Sequence, residues 1–264
     1  MDAVVWDDEA VDWRAYDAVV VRSCWDYHLA PARFRAWVDL LDEAGVTLWN
    51  PPALLRWNAD KHYLLDLERA GIPVVPTAWL RRADAEQLPE FLGGLAWPEV
   101  VMKPAVSASA FRTVRVRCDG RDGALAAAHH ILEHGDLLVQ PFLETVVSEG
   151  EWALMFFDGV YSHAVLKQPA EGDFRVQQEW GGRDAPATPA AVMLDAAQRA
   201  VGLAGASLYA RVDGVAHQGA FLVMELELIE PFLFFSSAVA ATRRFADAIE
   251  RGLVVAAEHR SEKE

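Results

Sequence analysis

The sequence predicts a mixed architecture, an open parallel α/β lobe followed by an α+β part with antiparallel strands. Two observations carry this. Over the first fifty residues, short valine-rich runs alternate with a helical pattern, the signature of buried parallel strands joined by a helix. Past a linker-like segment, IPVVPT, apolar runs follow one another across short turns, as antiparallel strands do. The boundary is expected around residues 72–78, and 264 residues suffice for one large domain or two small ones.

Each element has its own warrant. Residues 3–6 (AVVW) and 17–22 (DAVVVR) read as strands. PARFRAWVDLLDEAG has apolar residues at helical spacing (Phe34, Trp37, Leu40, Leu41) and stops at glycine. VTLWNPP reads as a strand and turn. NADKHYLLDLERAG reads as a helix capped by Asn58 and opened by Lys61, ending at Gly71. EVVMK and RTVRVR form an expected antiparallel pair joined by PAVSASAF, and a helix follows in LAAAHHILEH. LLVQPFL, EWALMFFDG, VYSHAVLKQ and AFLVMELELIE are strands, with a hairpin turn at Asp158–Gly159. YARVDG is a further strand-like run, with GVAHQG as its turn; helices fill 189–203 and 239–258.

Bulk properties narrow the function. Hydrophobic residues make up 53% and charged residues 24%, a globular composition. A net charge of −15 repels phosphate backbones and acidic bilayers, so neither nucleic acid nor membrane is an expected partner. The two cysteines, Cys24 and Cys118, have no CxxC or HExxH company, which argues against a disulfide framework or structural zinc. The opening MDAVVWDDEAVDW has neither a basic start nor an apolar core, and no apolar run reaches membrane-spanning length. A cytoplasmic protein acting on a small molecule is the expectation.

The chemistry concentrates in ELELIEP. On a strand, Glu225 and Glu227 share a face roughly 7 Å apart, while Leu226 and Leu228 take the other. A solvated face is the ordinary explanation of Glu-x-Glu, but the flanking AFLVM and PFLFF are strongly apolar. Carboxylates crowded in such surroundings repel, and a divalent cation relieves them; magnesium takes carboxylate oxygens and bridges to phosphates. Asp213 in YARVDG is a candidate third acid. Lys61, Lys103 and Lys167 each stand at the end of an apolar element, and Arg175 and Arg211 add positive charge to an acidic chain. Each lysine alone is ordinarily a surface residue. The small-residue loop after Lys103 allows backbone N–H groups to approach an anion. No Walker A or GxGxxG motif occurs.

Taken together, RSCWDY, NPP…RWNADK, VMKPAVSASAFRT, LVQPFLE, GEWALMFFDG, KQP…GDFR…GG, RVDG and ELELIEP resemble the ATP-grasp superfamily. The resemblance extends over nearly the whole chain and is nearest to the glutathione-synthetase-like branch, in particular its cycloserine-synthesis cyclo-ligase group. It implies ATP and Mg²⁺ as cofactors. It also implies a substrate lobe over 1–76, a small subdomain with a phosphate loop over 77–138, and a large subdomain with the metal site over 139–264. Lys61 and Lys103 resemble the lysines on the α- and β-phosphates. Ser107, Ala108 and Ser109 fall in the phosphate loop, where relatives carry glycines. Gln140, Phe142 and Leu143 match the adenine-contacting segment, and Glu151 the ribose-binding acid. Asp213, Glu225 and Glu227 match the magnesium ligands. Lys167, Arg175 and Arg211 resemble the cations that steady the γ-phosphate and an acyl phosphate.

The first lobe is expected to supply the acceptor site. Arg22, Ser23 and Asp26 follow the strand DAVVV, where ligands gather in open sheets, and Arg22 suits a carboxylate; a packed turn anchored by Trp25 and Tyr27 is the alternative. His163 alternates with Lys167 on one strand and reads first as a satisfied core histidine. Relatives begin with a further strand and helix, so either the true start lies upstream or the lobe is shortened, and the uncovered edge is then expected to be covered by a homodimer partner or to leave the lobe unstable. The activity implied is ATP-dependent joining of a carboxylate to an amine, with ring closure inside one molecule as a variant. Phosphoryl transfer to a hydroxyl, or nucleotide binding without catalysis, are the alternatives.

Overall fold

The computed structural model describes residues 1–118 and 121–261. Three sheets stack along the chain. In the first lobe, β1 (Val19–Val20), α1 (Pro31–Glu43) and β2 (Leu48–Trp49) make a right-sized strand–helix–strand unit, with β1 and β2 parallel. Two short helices follow, α2 (Pro52–Asn58) and α3 (Tyr63–Arg69). Next come β3 (Ala78–Leu80), α4 (Leu88–Gly93), β4 (Glu99–Pro104), β5 (Val114–Arg117), α5 (Arg121–Leu132) and β6 (Leu137–Pro141). Their strands form an antiparallel sheet in the order β3-β6-β4-β5. The last part comprises α6 (Thr145–Ser148), β7 (Glu151–Phe157), β8 (Val160–Gln168), β9 (Arg183–Ala187), α7 (Ala191–Ala204), β10 (Tyr209–His217), β11 (Ala220–Glu227) and α8 (Ala241–Ser261). Its antiparallel sheet runs β11-β10-β7-β8-β9.

The expected alternation of lobes is present, with local corrections. Residues 3–6 form no strand: Ala3, Val4 and Val5 are exposed, and only Trp6 is buried. Trp6 is fixed by side-chain contacts instead. Its ring meets Phe34 and Trp37 edge-on at 5.5 and 6.0 Å, and its Nε1 donates to Asp26. In α1 the buried stripe is Phe34, Trp37, Val38 and Leu41, while Leu40 faces solvent. The IPVVPT segment is not a free linker. Val75 N–H donates to Val223 O at 3.0 Å and Val223 N–H to Pro73 O at 2.9 Å, so this stretch covers the edge of β11. The strand β10 continues through His217, and the turn is confined to Gln218–Gly219 rather than spread over GVAHQG. The β7–β8 hairpin turns where expected: Asp158 and Gly159 both have positive φ, which a two-residue turn of this hand requires. Strand β9 lacked a sequence signal because its pattern, RDAPA, is polar and half-exposed.

The five-stranded sheet has two unlike faces. On one, α7 buries Met193, Ala196, Ala197, Ala200 and Val201 against Leu154, Phe156, Val212 and Leu226. On the other, α8 covers only one end, packing Ala248 and Phe245 near Met155, Phe157 and Tyr209. The uncovered end of that face carries Glu151, Lys167, Arg211, Asp213, Glu225 and Glu227.

Asn58 does not cap a helix. It is the last residue of α2, and Lys61 lies in the turn before α3. Its buried amide accepts from Leu228 N–H at 2.8 Å and donates to Leu226 O at 2.6 Å. Asn50, fully buried, donates to Leu228 O and Tyr209 O and accepts from Leu208 N–H. Asn58 thus pairs Leu226 near the end of β11 and Leu228 just beyond it, and Asn50 ties Leu228 to the start of β10. Replacing Asn58 by Ala orphans two buried backbone groups, at about 1–3 kcal/mol each. Urea unfolding of Asn58→Ala should show a loss of about 2–4 kcal/mol; a loss below about 1 kcal/mol would mean that the clamp is dispensable.

Candidate active site

A cavity of about 480 Å³ lies between the four-stranded and five-stranded sheets, within the range of small-molecule sites. Lys103 from β4, Gln140 from β6, Glu151 from β7, Lys167 from β8 and Asp213 from β10 all line it. The ladder register sets the charges. Arg211 pairs with Glu227 and Asp213 with Glu225 across β10–β11; Glu151 pairs with Lys167 across β7–β8. The Asp213–Glu225 pair sets like charges directly opposite each other, an arrangement that costs stability unless something intervenes.

Cations intervene. Asp213, Glu225 and Glu227 offer oxygens that all lie within 4.8 Å of one another. Lys103 Nζ donates to Glu225 at 2.9 Å, and Lys61 Nζ stands 3.6 Å from the same oxygen. Lys167 bridges Glu151 and Asp213, 3.1 Å from the latter. Arg211 chelates Asp213 at 2.8–3.1 Å, reaches Glu227, and donates to Phe232 O. Protonation follows from this geometry. Burial alone would raise the Glu225 carboxyl, but Lys103 and Lys61 outweigh it and hold it at about 2. Glu227 is pushed up to about 7 by burial, with repulsion from Asp213 and Glu225 opposing Arg211. Burial likewise raises Glu151, whereas Asp213 is held down because Arg211 and Lys167 overcome its desolvation. Lys167 stays protonated against its own burial because Asp213 and Glu151 face it.

The remaining expected residues fall as follows. Lys61 sits behind the cavity wall and donates to Ser107 O. Ser107 and Ser109 line the cavity; the Ser107 hydroxyl donates to Pro104 O at 3.0 Å. Ser109, Ala110 and Arg112 have φ of 50–54°, a left-handed backbone that costs energy without glycine. Gln140 donates to Thr77 Oγ1 at 3.0 Å, and Phe142 and Leu143 form the neighbouring wall, with Arg115 stacked 3.5 Å from the Phe142 ring. Arg175 also lines the cavity; it is chelated by Asp173 and stacked 3.5 Å over Trp180. His163 is hydrogen-bonded to Ser162 Oγ and Leu233 O, as a core histidine.

Arg22, Ser23 and Asp26 do not line this cavity. Arg22 donates to Pro231 O and lies 5.0 Å over the Tyr209 ring, and Asp26 accepts from Trp6. Their neighbour Trp25 does line it, as does Glu230, which the sequence did not single out. Strand alternation after Glu227 points to Ile229 rather than Glu230. The strand stops at Glu227, however; Ile229 turns into the first lobe's core and Glu230 takes the cavity side.

This fold, with its cleft between an antiparallel four-stranded sheet and a larger sheet bearing paired acids and cations, defines an ATP-grasp ligase. Residues 1–50 match the family model described as D-cycloserine synthetase DcsG, N-terminal domain. The cycloserine biosynthesis protein DcsG of Streptomyces lavendulae is 34% identical over 265 residues, covering 94% of this chain and 87% of that protein. The crystal structure of D-cycloserine synthetase DcsG superposes with a TM-score of 0.85 at 29% identity, covering 94% of this chain and 88% of that one. A D-alanine–D-alanine ligase from Bacillus anthracis shares the fold, with a TM-score of 0.64, 18% identity and coverage of 86% and 77%. The chain belongs to the DcsG family.

The charge balance is testable without any ligand. Lys167→Met leaves Glu151 and Asp213 facing each other without their shared cation. Thermal and urea unfolding should show a loss of about 3–5 kcal/mol; a change under about 1 kcal/mol would mean that the carboxylates find other compensation.

Proposed function

We propose that the protein uses ATP to activate the carboxylate of an amino-acid-like small molecule and joins it to an amine of the same molecule, closing a ring. The observation that carries this reading is the Asp213–Glu225–Glu227 triad at one wall of the cavity, ringed by Lys103, Lys167 and Arg211. The names of the relatives, cycloserine biosynthesis protein and D-cycloserine synthetase, support the cyclising variant.

The residues fit a hard divalent ion. Their donors are all carboxylate oxygens, and all lie within reach of one centre. Asp213, Glu225 and Glu227 would hold magnesium, which when bound neutralises phosphate charge and polarises the transferring phosphoryl group. Lys103 and Lys61, brought together at Glu225, are the cations for the nucleotide phosphates. The Ser107–Ser109 loop lines the same cavity, and its backbone N–H groups would complete the phosphate site. Gln140, Phe142 and Leu143 supply the flat, partly apolar wall that suits a base. Glu151 is the acid for ribose hydroxyls, although here it shares Lys167 with Asp213.

A carboxylate is a poor electrophile at neutral pH. Phosphorylation turns it into an acyl phosphate, whose leaving group departs when the amine attacks. Arg211 and Lys167 are positioned to offset the charge that develops on the oxygens of both steps. Arg175, held by Asp173 and Trp180 over the cavity mouth, adds a third cation and helps to keep water from the activated intermediate.

Two outcomes are expected. Phosphate release from ATP should depend on an added amino-acid substrate in a panel with ADP formation as readout; a phosphorylated product without free phosphate would point to phosphotransfer to a hydroxyl. Glu225→Gln should lower turnover by about 100-fold or more and leave the melting temperature within a few degrees. Full ATP-dependent activity in that variant would remove the metal assignment.

A further inference from the structure

Among the described residues, the carboxylate of Glu230 has no hydrogen bond and no ion pair, although the residue is only 8% exposed and lines the cavity. Asp213, Glu225, Glu227 and Glu151, on the same cavity, each have a cation within 3.1 Å. A buried carboxylate without a partner is costly, and such groups are kept where a ligand completes them. Two aromatic rings stand on the same cavity. Trp25 and Phe232 are each 48% exposed, unusual for residues in so apolar a neighbourhood. The Trp25 indole is oriented by a 2.9 Å bond from its Nε1 to Glu230 O, and Phe232 O is held by Arg211. Burial and the neighbouring Glu227 drive the Glu230 carboxyl well above the usual carboxylate range, for it lacks the cation that would hold it ionised. A carboxyl on a cavity that also carries aromatic faces suits an alkylammonium ion.

We infer that Glu230, with Trp25 and Phe232 on the same cavity, binds a free ammonium group of the substrate, one that does not react. This deepens the ligase reading above and rests on it. The substrate is then a zwitterion. Its carboxylate is directed to the phosphoryl-transfer cations around Arg211, and its ammonium to Glu230. The pairing also explains selectivity: a carboxylic acid lacking the ammonium leaves Glu230 buried and unpaired, and so binds poorly.

D-Cycloserine and isoxazolidin-3-one differ only by the ring amine, which makes them a direct probe pair. Calorimetry on the whole protein saturated with Mg·ADP should show wild type binding D-cycloserine about 10- to 100-fold more tightly than isoxazolidin-3-one. Glu230→Gln should bind the two alike, bind Mg·ADP as wild type does, and melt within a few degrees of wild type, since the carboxyl it replaces has no partner. Glu230→Asp, which keeps the charge, should retain part of the preference. Equal affinities in wild type, preference retained in Glu230→Gln, or weakened Mg·ADP binding in that variant would each overturn the assignment while leaving the ligase reading intact. Binding of Mg·ADP with neither ring compound would defeat both readings.

Discussion

The site is governed by carboxylate repulsion. Asp213 and Glu225 face each other across one ladder, and Glu227 lies one pleat further along, Asp213 buried and the two glutamates half-buried on the cavity wall. Left alone, three negative charges so close would force protons onto the wall or push the strands apart. The chain answers with four cations: Lys167 and Arg211 are each shared between two acids, while Lys103 and Lys61 converge on Glu225. Glu227 shows how incomplete the answer is, since its carboxyl is driven up to about 7 despite Arg211. On the proposed reading, a wall that keeps so much negative charge would receive a multivalent cation, and the lysines now holding the acids would turn to the phosphates.

Such a wall needs a rigid mount, and β11 is an edge strand. The mount comes from the first lobe. Asn50 and Asn58 hydrogen-bond the backbone around Leu226 and Leu228, and the Tyr63 hydroxyl accepts from Leu226 N–H at 3.0 Å. Tyr209 ties Val21 O and Ile229 O together from the adjoining strand. The segment that carries Glu225, Glu227 and Glu230 is thereby fixed by side chains as distant in sequence as Asn50, 178 positions from Leu228, and Trp25, 205 positions from Glu230. Fold and site are coupled at this seam: the same lobe that was read as a substrate platform also aims the acids.

Legibility in the sequence followed from how local each feature is. Alternation in AFLVMELE is local, so the shared face of Glu225 and Glu227 was readable, as were the β4–β5 pair and the Asp158–Gly159 hairpin. Trp6 misled because a valine run suits a strand, yet strand formation needs a neighbour, and the indole found an aromatic cluster instead. Asn58 misled because its type favours helix caps, while its tertiary partner was a strand far along the chain. Glu230 was hidden for a related reason. Period-two reasoning holds only while the strand lasts, and β11 ends three residues earlier. The signal that remained was chemical: a third acid, just before Pro231, in an otherwise apolar stretch.

The central claim, that the acid wall exchanges its internal cations for a metal–nucleotide pair, is tested most directly by a crystal structure with Mn²⁺ and a non-hydrolysable ATP analogue, using the anomalous signal of manganese. The account predicts a peak between Asp213, Glu225 and Glu227, with oxygens at about 2.1 Å, and Lys103 turned from Glu225 to a phosphate. A peak elsewhere, with Lys103, Lys167 and Arg211 still bound to their acids, would contradict it.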